Sequence, residues 1–529
     1  MEKYFNVTGS CDSREHYMVD LSGRLEKIKK MIDDGKYFTV NRGRQYGKTT
    51  MLKALARYLE EEYIVVNMDF QLMDHSDYKS ISSFVKAFAG NLITNRNCQK
   101  YMSDEIKEEL KNMRKYSDRS FTLADLFYLL NQWCSEAQKP IVLMIDEVDQ
   151  ASNNQVFLDF LSQLRGYYLN RENIITFQSV ILAGVHDVRN LRQKIRPDME
   201  HKHNSPWNIA TKFEVDMSFS SEDISGMLKE YEKENNTGMN IDEMAKLIYD
   251  YTSGYPVLVS GLCKLIDEEI AGTERFATKK SAWTKAGFLE AEKKMMSERM
   301  PLFESLINKL EDDEALRSLI HMILFEGKSV PFNPDDAVIN TAMIYGFAKN
   351  KENIVCVANR LFETRIYNWF LSLEITTNKI TEVSLLDKNY FIKDGNLDMK
   401  KILTSFIKAF NDIYGSRPEK FLEETGRKYF MLYMRPIING TGNYYIESRT
   451  RDNRRTDMII DYFGKQYIVE LKIWRGEEYN SRGEEQLIGY LEDYGVDEGY
   501  MLSFNFNKDK KSGINTMIIN GKTIVEAVV

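Results

Sequence analysis

The ten residues Asn41–Thr50, NRGRQYGKTT, constrain the fold of this chain more than any other feature. They follow a short strand-forming run, Tyr37–Val40, and they lead into Met51–Leu59, whose apolar residues recur at helical spacing. A strand, a glycine-bearing loop, Gly-Lys-Thr and a helix, in that order, favour phosphate binding, because backbone N–H groups and a helix N-terminus then face the anion. Lys48 would supply a positive charge, and the Thr49 hydroxyl would reach Mg²⁺.

The loop departs from the usual pattern at one position. G-x-x-x-x-G-K-[ST] has glycine where Arg42 stands, and Gly43 follows one place later. A Gly-Lys-Thr that starts a helix by chance is the alternative interpretation, which the flanking strand and helix disfavour. The loop residues expected to bind the nucleotide are Gly43, Gln45, Tyr46, Gly47, Lys48, Thr49 and Thr50.

A pair of carboxylates follows a second apolar run. Ile141–Ile145 is apolar throughout, as expected for a central parallel strand buried on both faces. Asp146 and Glu147 come at its end, and a carboxylate in that position points into the ligand crevice of an α/β sheet. We therefore expect Asp146 to hold Mg²⁺ through water and Glu147 to orient or deprotonate the attacking water. An acidic pair that only caps a loop is the alternative.

The pattern of strands and helices continues beyond this point. Tyr63–Asp69 and Ser179–Val185 predict strands, and the second ends at His186, which could sense a γ-phosphate or be an ordinary loop residue. Phe213–Met217 predicts a fifth strand, and Ser253–Pro256 opens another helix. Arginines from this region could act on a neighbouring subunit's nucleotide or carry only solvated charge; they are Arg165, Arg171, Arg189, Arg192 and Arg196.

Composition limits the class of protein. A chain of 529 residues is too long for one core and is expected to form about three or four domains. Its net charge of −8 argues against a general nucleic-acid coat, although a local basic face remains open. No apolar run reaches membrane-spanning length, and the N-terminus does not resemble a secretory signal. Five scattered cysteines suit a reducing cytoplasm and argue against structural zinc.

The middle of the chain predicts a small helical domain with a hairpin. Thr341–Ala348 predicts a helix that ends near Gly346, 349–353 a turn, and Ile354–Asn359 a strand before the helical pattern returns. Helix, hairpin and helix at this size look like a winged helix, which could read DNA or act as a lid or relay. The predicted divisions are an ATPase domain with a helical lid at 1–270, a helical or winged-helix domain at 271–375, a linker at 376–400 and a last domain at 401–529.

The last domain carries a second set of charged residues. Gln466–Trp474 predicts a strand, and period-2 alternation places Glu470 and Lys472 on the same face. Asp457 begins the preceding strand of a hairpin and can reach that face. Two carboxylates and a lysine that converge in this way can bind Mg²⁺ and activate a water beside a phosphodiester. A solvated hairpin with facing charges is the alternative.

The first motifs resemble those of the AAA-like branch of P-loop ATPases. The segments Arg44–Thr50 and Asn204–Asn208 resemble motifs of a bacterial AAA-ATPase-like family. In that family, arginine commonly replaces the first glycine of the loop. Gly254-Tyr255-Pro256 resembles the glycine-x-proline motif that STAND-type ATPases place against the nucleotide base, which implies a contact from Pro256. The resemblance covers about residues 1–270.

The C-terminal pattern resembles the PD-(D/E)xK nuclease superfamily over about residues 401–529. That resemblance implies metal ligation by Asp457 and Glu470, catalysis by Lys472, and a role for Gln486 on the next helix. An upstream helical glutamate is matched by Glu424, with Glu423 as the alternative. Thr456 stands where the superfamily has proline.

Together these features predict an α/β multidomain protein: a P-loop parallel-sheet core, a winged-helix middle and a restriction-endonuclease-like C-terminal domain. The expected function is a cytoplasmic ATPase coupled to a metal-dependent DNase that uses Mg²⁺ or Mn²⁺, with a role in defence against foreign DNA. Expected partners are ATP and nucleic acid, DNA above RNA, with no membrane and with self-assembly into a homo-oligomer. The alternatives are a nucleotide-controlled signalling switch and a DNA motor, in both of which the C-terminal domain binds without cutting.

Overall fold

The described residues form two compact units. The computed structural model assigns Met1–Phe219, Tyr255–Val257 and Ile344–Gly346 to the first unit, and the rest to the second. The helices of Ser220–Gly254, which the sequence predicts within the ATPase domain and its helical lid, belong to the second unit. The structure describes residues 2–115, 120–151, 154–185, 207–325, 329–375, 388–393, 395–414, 423–438, 442–445, 458–462, 465–473, 477–506 and 511–529.

A four-stranded parallel sheet lies at the centre of the first unit, in the order β1-β4-β3-β2. Its central strand β3 is buried at all six residues, as its apolar sequence predicts. The sheet therefore delivers the carboxyl ends of its strands to one edge, where the loop after β1 also lies. The strands are β1 Phe38–Asn41, β2 Ile64–Asp69, β3 Ile141–Asp146 and β4 Ser179–Gly184.

Helices cover both faces of this sheet. Leu143 and Ile145 of β3 join the core on one face, and Val142 and Met144 join the core on the other. Burial of alternate residues on opposite faces gives the α/β layering that the sequence predicts. The helices of this unit are α1 Ser22–Asp33, α2 Lys48–Leu59, α3 Ile81–Thr94, α4 Arg96–Gln99, α5 Asp104–Lys115, α6 Leu123–Glu136 and α7 Gln155–Leu169.

The fifth predicted strand is not a strand. Phe213–Met217 forms no ladder in the structure, and only Thr211 makes a single parallel bridge, to Phe38 of β1. The alternation that suggested a strand is present, because Phe213, Val215 and Met217 are all buried against the core. Burial alone produced the pattern, without the backbone pairing that defines a strand.

The second unit begins with helices and contains a small antiparallel sheet in the order β5-β7-β6. The turn between β6 and β7 places Glu352 and Asn353 at positive φ (51° and 64°), as a two-residue hairpin loop requires. A hairpin is therefore present, as the sequence predicts, but the turn predicted at 349–353 is shorter, because residues 349–351 pair as part of β6. The strands are β5 Val330–Pro331, β6 Ala348–Lys351 and β7 Ile354–Val357. The helices are Ser221–Asn235, Ile241–Thr252, Pro256–Lys264 with a π-helical turn Leu265–Ile270, Lys279–Ala282, Lys285–Ser297, Pro301–Asp312, Glu314–Leu324, Ala337–Ile344 and Arg360–Ile375.

A six-stranded mixed sheet dominates the rest of the second unit, in the order β10-β11-β12-β13-β15-β14. Its central strands β12, β13 and β15 are parallel to one another, and the outer pairs are antiparallel. Residues 388–400, expected within a linker, contain a short hairpin and the start of a helix. The strands are β8 Ile392–Lys393, β9 Asn396–Leu397, β10 Gly442–Tyr445, β11 Met458–Tyr462, β12 Lys465–Ile473, β13 Glu498–Phe504, β14 Gly513–Ile519 and β15 Lys522–Val528. The helices are Met399–Tyr414, Glu423–Ile438 and Glu477–Asp493.

The structure also bears on membrane-spanning segments and on the state of the cysteines. Among the helices that the structure describes, none is long and apolar enough to cross a membrane. All five cysteines are free thiols. Burial raises the pKa of the Cys98 and Cys134 thiols to about 12.

Alanine substitutions at two helical glycines of the second unit should have opposite effects on stability. A Cβ at Gly426 would overlap the Phe504 ring, so Gly426→Ala should lower the free energy of unfolding by about 1–3 kcal/mol. Gly226 is exposed in the helix Ser221–Asn235, with nothing within 4 Å of a Cβ, and Gly226→Ala should raise it by about 0.5–1 kcal/mol. Urea unfolding of both variants checks the pair, and equal shifts would contradict the packing at Gly426.

Candidate functional site

The loop between β1 and α2 has the backbone conformation of an anion-binding turn. Gln45 and Gly47 adopt positive φ angles of 57° and 81°, and α2 begins directly afterwards at Lys48. The first N–H groups of a helix have no partner within the helix and carry partial positive charge. The loop therefore presents donors at the carboxyl edge of the sheet, where anionic groups are favoured.

Lys48 is buried within this loop, with a relative exposure of 7%. Its ammonium group donates to the Arg42 carbonyl at 3.0 Å and to the Gly43 carbonyl at 3.1 Å. Burial lowers its pKa, and the carboxylates of Glu147, Asp149 and Asp146 act in the opposite direction. The ammonium is thus fixed in the loop by carbonyl groups and faces a set of carboxylates.

Thr49 and Asp146 meet although they are 97 residues apart in the chain. The Thr49 hydroxyl donates to Asp146 Oδ2 at 2.7 Å, and the Glu147 N–H donates to Asp146 Oδ1 at 2.9 Å. Asp146 has a relative exposure of only 5%. A hydroxyl and a carboxylate are hard oxygen donors, so this pair fits Mg²⁺.

Glu147 follows Asp146 in a left-handed conformation, with φ of 53°. Burial raises the pKa of its carboxyl group, while the Lys48 ammonium acts to lower it. A left-handed φ is uncommon for a residue other than glycine and is frequent at functional sites. The turn after β3 thus carries both predicted carboxylates, with Glu147 in a backbone conformation that is unusual for its residue type.

Arg42 accounts for the departure of the loop from the usual glycine pattern. Its guanidinium donates to the Asn41 carbonyl at 2.9 Å and to the Val215 carbonyl at 3.3 Å. The guanidinium also lies over the Phe213 ring, 5.8 Å from the ring centroid. The side chain therefore extends towards the segment that contains Phe213 and Val215.

Other predicted loop residues have contacts within the first unit. The Thr50 hydroxyl accepts a hydrogen bond from the Cys11 N–H at 3.1 Å. The Tyr46 ring packs edge-on against Tyr255, with centroids 4.5 Å apart. Tyr255 is a residue that the sequence analysis did not select: its hydroxyl donates to the Arg44 carbonyl at 2.6 Å. Its position beside Pro256, the first residue of a helix, was the signal available in the sequence.

Asp149 is a second residue that the sequence analysis missed. Its carboxylate accepts a hydrogen bond from the Val185 N–H at 2.5 Å, at the end of β4. The only signal in the sequence was a third acidic residue shortly after Asp146 and Glu147. His186, which was predicted at the same end of β4, lies outside the described residues.

In the second unit, Glu470 and Lys472 lie on the same face of β12. The Lys472 ammonium is 3.0 Å from Glu470 Oε1, and the side chains are 13% and 0% exposed. The period-2 interpretation of the sequence is confirmed in this respect. Burying a carboxylate costs free energy unless a partner of opposite charge accompanies it, and Lys472 is that partner.

A helix covers this face of the sheet. The helix Glu477–Asp493 contributes Gly483, where a Cβ would lie 3.3 Å from Lys472 Cγ and 3.5 Å from Met501 Sδ. Met501 stands between Glu470 and Glu526 in the parallel register. A second buried carboxylate, that of Glu526, therefore shares the face and accepts a hydrogen bond from the Ser503 hydroxyl at 2.8 Å.

Of the three other residues predicted for the nuclease site, the structure describes the side chain of one. Gln486 is half-buried on the helix Glu477–Asp493. Glu424 lies in the helix Glu423–Ile438, but its side chain is outside the described part, and so is Asp457. Within the described part of the chain, no group of three or more His, Cys, Asp or Glu side chains is arranged to hold a metal ion. The proposed ligand pair is thus represented here by Glu470 alone.

Comparison with known protein families identifies the family of the chain. A family model described as an AAA-like domain matches residues 10–364, about two thirds of the chain. The chain belongs to the AAA-like family. Membership supports nucleotide binding and ATPase activity, and the match does not extend to the sheet that contains Glu470. A search of curated proteins gives no match.

Solved structures of low identity are also similar to the chain. A Walker-type ATPase of Pyrococcus abyssi is 14% identical, with a TM-score of 0.43, over 68% of this chain and 99% of that one. Cdc6p of Pyrobaculum aerophilum is 13% identical, with a TM-score of 0.31, over 67% and 94% of the two chains. The ORC1 protein of Aeropyrum pernix, solved in complex with DNA, is 12% identical, with a TM-score of 0.30, over 66% and 93%.

Replacement of the buried loop lysine should remove nucleotide binding. Lys48→Ala deletes the charge held between the Arg42 and Gly43 carbonyls, and we expect most tight ATP binding to be lost while the fold is kept. Lys53→Ala, one turn further along α2 and exposed, is the matched control. Calorimetric titration with ATP measures both. Equal affinity in the wild type and Lys48→Ala would contradict the assignment of the phosphate loop.

Replacement of the neighbouring glutamate should separate binding from turnover. Glu147→Gln keeps the shape of the side chain and removes the carboxylate that would position or deprotonate water. We expect ATP binding to persist, hydrolysis to fall by on the order of a hundredfold, and a nucleotide-bound state to accumulate. Phosphate release and nucleotide retention are the measurements, with Glu60→Gln as an exposed control. Hydrolysis at the wild-type rate would place the catalytic glutamate elsewhere.

Proposed function

We propose that this protein hydrolyses ATP at the loop of its first unit and cleaves DNA with a metal-dependent site in its C-terminal sheet. The observation that carries the second activity is the buried Glu470–Lys472 pair on β12. An ion pair removed from water is a weak source of stability, and such pairs are common where a reaction needs them. Family membership already supports the first activity.

For ATP hydrolysis, the proposed roles follow from the contacts of the loop. Lys48 and the start of α2 bind the phosphates, since both present positive charge to the same space. Thr49 and Asp146 would hold Mg²⁺, which, when bound, neutralises charge on the phosphates. Glu147 orients the attacking water and accepts its proton. His186 and Pro256 are proposed to contact the γ-phosphate and the base.

For DNA cleavage, Glu470 would hold Mg²⁺ or Mn²⁺ together with Asp457. Carboxylate oxygens are the preferred ligands of both ions, and a metal bound there supplies charge to a phosphodiester and lowers the pKa of a water. Lys472 stabilises negative charge beside Glu470 because its ammonium is held 3.0 Å away. Gln486 and Glu424 are proposed as supporting polar residues from the two flanking helices.

The remaining proposals concern partners. Arg449, Arg451, Arg454 and Arg455 are proposed to contact DNA phosphates, because four arginines in seven residues form a local positive charge in an acidic chain. The sheet β5-β7-β6 and its helices are proposed to form a winged helix that relays the nucleotide state. The pairing of an ATPase with a DNase supports a role in defence against foreign DNA, and homo-oligomeric assembly is part of this proposal.

The nuclease proposal predicts a specific loss of cleavage. Asp457→Asn should abolish metal-dependent cutting, and Lys472→Ala should reduce it by on the order of a hundredfold, as loss of one transition-state contact does. Lys465→Ala, an exposed lysine at the start of the same strand β12, should leave cutting unchanged. The assay is cleavage of labelled duplex and single-stranded DNA across Mg²⁺ and Mn²⁺, with and without ATP.

Measurements of DNA binding distinguish a variant that no longer cleaves DNA from one that no longer binds it. Both site variants should still bind DNA, whereas replacement of the four arginines should weaken binding and flatten its dependence on salt. Cutting that persists in Asp457→Asn would refute the site. Absence of cutting by the wild type in every condition would instead favour a nucleotide-controlled switch whose C-terminal domain only binds.

A further inference from the structure

Beyond the last backbone pair of β3 and β4, a hydrogen bond to the Asp149 side chain joins the two segments. The backbone register between the two strands runs from Val142–Ser179 to Ile145–Leu182. Further along, the Val185 N–H donates to Asp149 Oδ2 at 2.5 Å. Asp149 lies in the 3₁₀ turn Val148–Ala151, which follows directly from Asp146 and Glu147. The Asp149 carboxylate thus takes the place of a strand carbonyl.

The surroundings of this bond leave no room for a side chain at the end of β4. A Cβ at Gly184 would lie 2.9 Å from Asp149 Oδ2 and 2.9 Å from Val148 Cγ2. Contacts this short would push the carboxylate away from Val185. On its other edge, Gly184 pairs with Asn41 of β1, and its carbonyl accepts from the Arg42 N–H at 3.1 Å. The end of β4 is therefore tied both to the start of the phosphate loop and to Asp149.

The Asp149 carboxylate also faces the charged groups of the proposed ATP site. It acts to raise the pKa of Lys48 and the pKa of Glu147, which places it within electrostatic reach of both. Glu147 is two residues before Asp149 in the same turn, with its own backbone held at φ 53°. A bond that fixes Asp149 therefore limits where the Glu147 carboxylate can point.

We propose that Asp149 is a positioning residue for ATP hydrolysis: by accepting the Val185 N–H, it holds the turn that carries Glu147 in register with the end of β4. The proposal rests on the assignment of ATP hydrolysis to this site. In this role Asp149 acts through the position of Glu147, not by binding the nucleotide itself. Loss of the bond should therefore affect turnover more than nucleotide affinity.

Two substitutions at Asp149 separate the hydrogen bond from the charge. Asp149→Ala removes the acceptor, and we expect kcat for ATP to fall at least about tenfold, with KM changed by less than about threefold. Asp149→Asn removes the charge and retains a carbonyl oxygen that can accept from Val185, so kcat should stay within about threefold of the wild type. Asp104→Ala, whose side chain is 97% exposed in α5, is the control.

A third variant tests the bond without changing Asp149. Gly184→Ala should displace the carboxylate and reproduce the loss of kcat, so it keeps the test available if Asp149→Ala does not fold. Thermal unfolding and ATP titration are measured for every variant, because a purely structural role would lower stability and nucleotide affinity together with kcat, whereas a positioning role lowers kcat with KM nearly unchanged. Wild-type kcat in Asp149→Ala, or equal loss in Asp149→Asn and Asp149→Ala, would overturn the proposal.

The control for the underlying activity is separate. The wild type must hydrolyse ATP, and Lys48→Ala must lose that activity, before the Asp149 series is interpreted. If wild type and Lys48→Ala hydrolyse ATP equally, the proposed ATP site fails, whatever Asp149 does. If Lys48→Ala is inactive and the Asp149 variants behave alike, only the positioning role fails.

Discussion

The hydrogen bond between the Thr49 hydroxyl and the Asp146 carboxylate is the interaction on which the first site depends. It joins the first turn of α2 to the last residue of β3, and Asp146 is buried while Thr49 is half-buried. Because β3 is buried on both faces of the sheet, Asp146 cannot leave the carboxyl edge without exposing a core strand. The geometry of the site is therefore a consequence of the apolar sequence Ile141–Ile145.

Both candidate sites place a lysine with little solvent exposure beside carboxylates. Burial disfavours the charged form of Lys48, and the carboxylates of Glu147, Asp149 and Asp146 favour it. Lys472 pairs directly with Glu470. Replacing such groups by apolar residues of similar volume would often stabilise a fold. One pair lies at the edge of the parallel sheet and the other within the mixed sheet, and stability alone does not explain either of them.

Local patterns predicted the parts of the fold that depend on local sequence. The central strand β3, the helix after Gly47 and the shared face of Glu470 and Lys472 follow from apolar runs and from periods of 3.6 and 2 residues. The prediction of a strand at Phe213–Met217 was wrong, because alternate apolar residues can be buried without any backbone pairing to a neighbouring strand. The contacts of Asp149 and Tyr255 could not be predicted because each joins segments that are distant in sequence. The roles of all the predicted site residues stay predictions, and His186, Asp457 and the Glu424 side chain also lie outside the described part of the chain.

The glycine pattern of the loop is displaced by one residue, and the structure gives a reason. Arg42 stands where glycine is usual, but its guanidinium extends towards the Val215 carbonyl and the Phe213 ring, so a large side chain is accommodated there. At Gly43, by contrast, a Cβ would lie 2.8 Å from the Tyr345 carbonyl oxygen and 3.2 Å from the Tyr255 hydroxyl. The requirement for glycine is set by what packs against the loop, and in this chain that packing falls on Gly43.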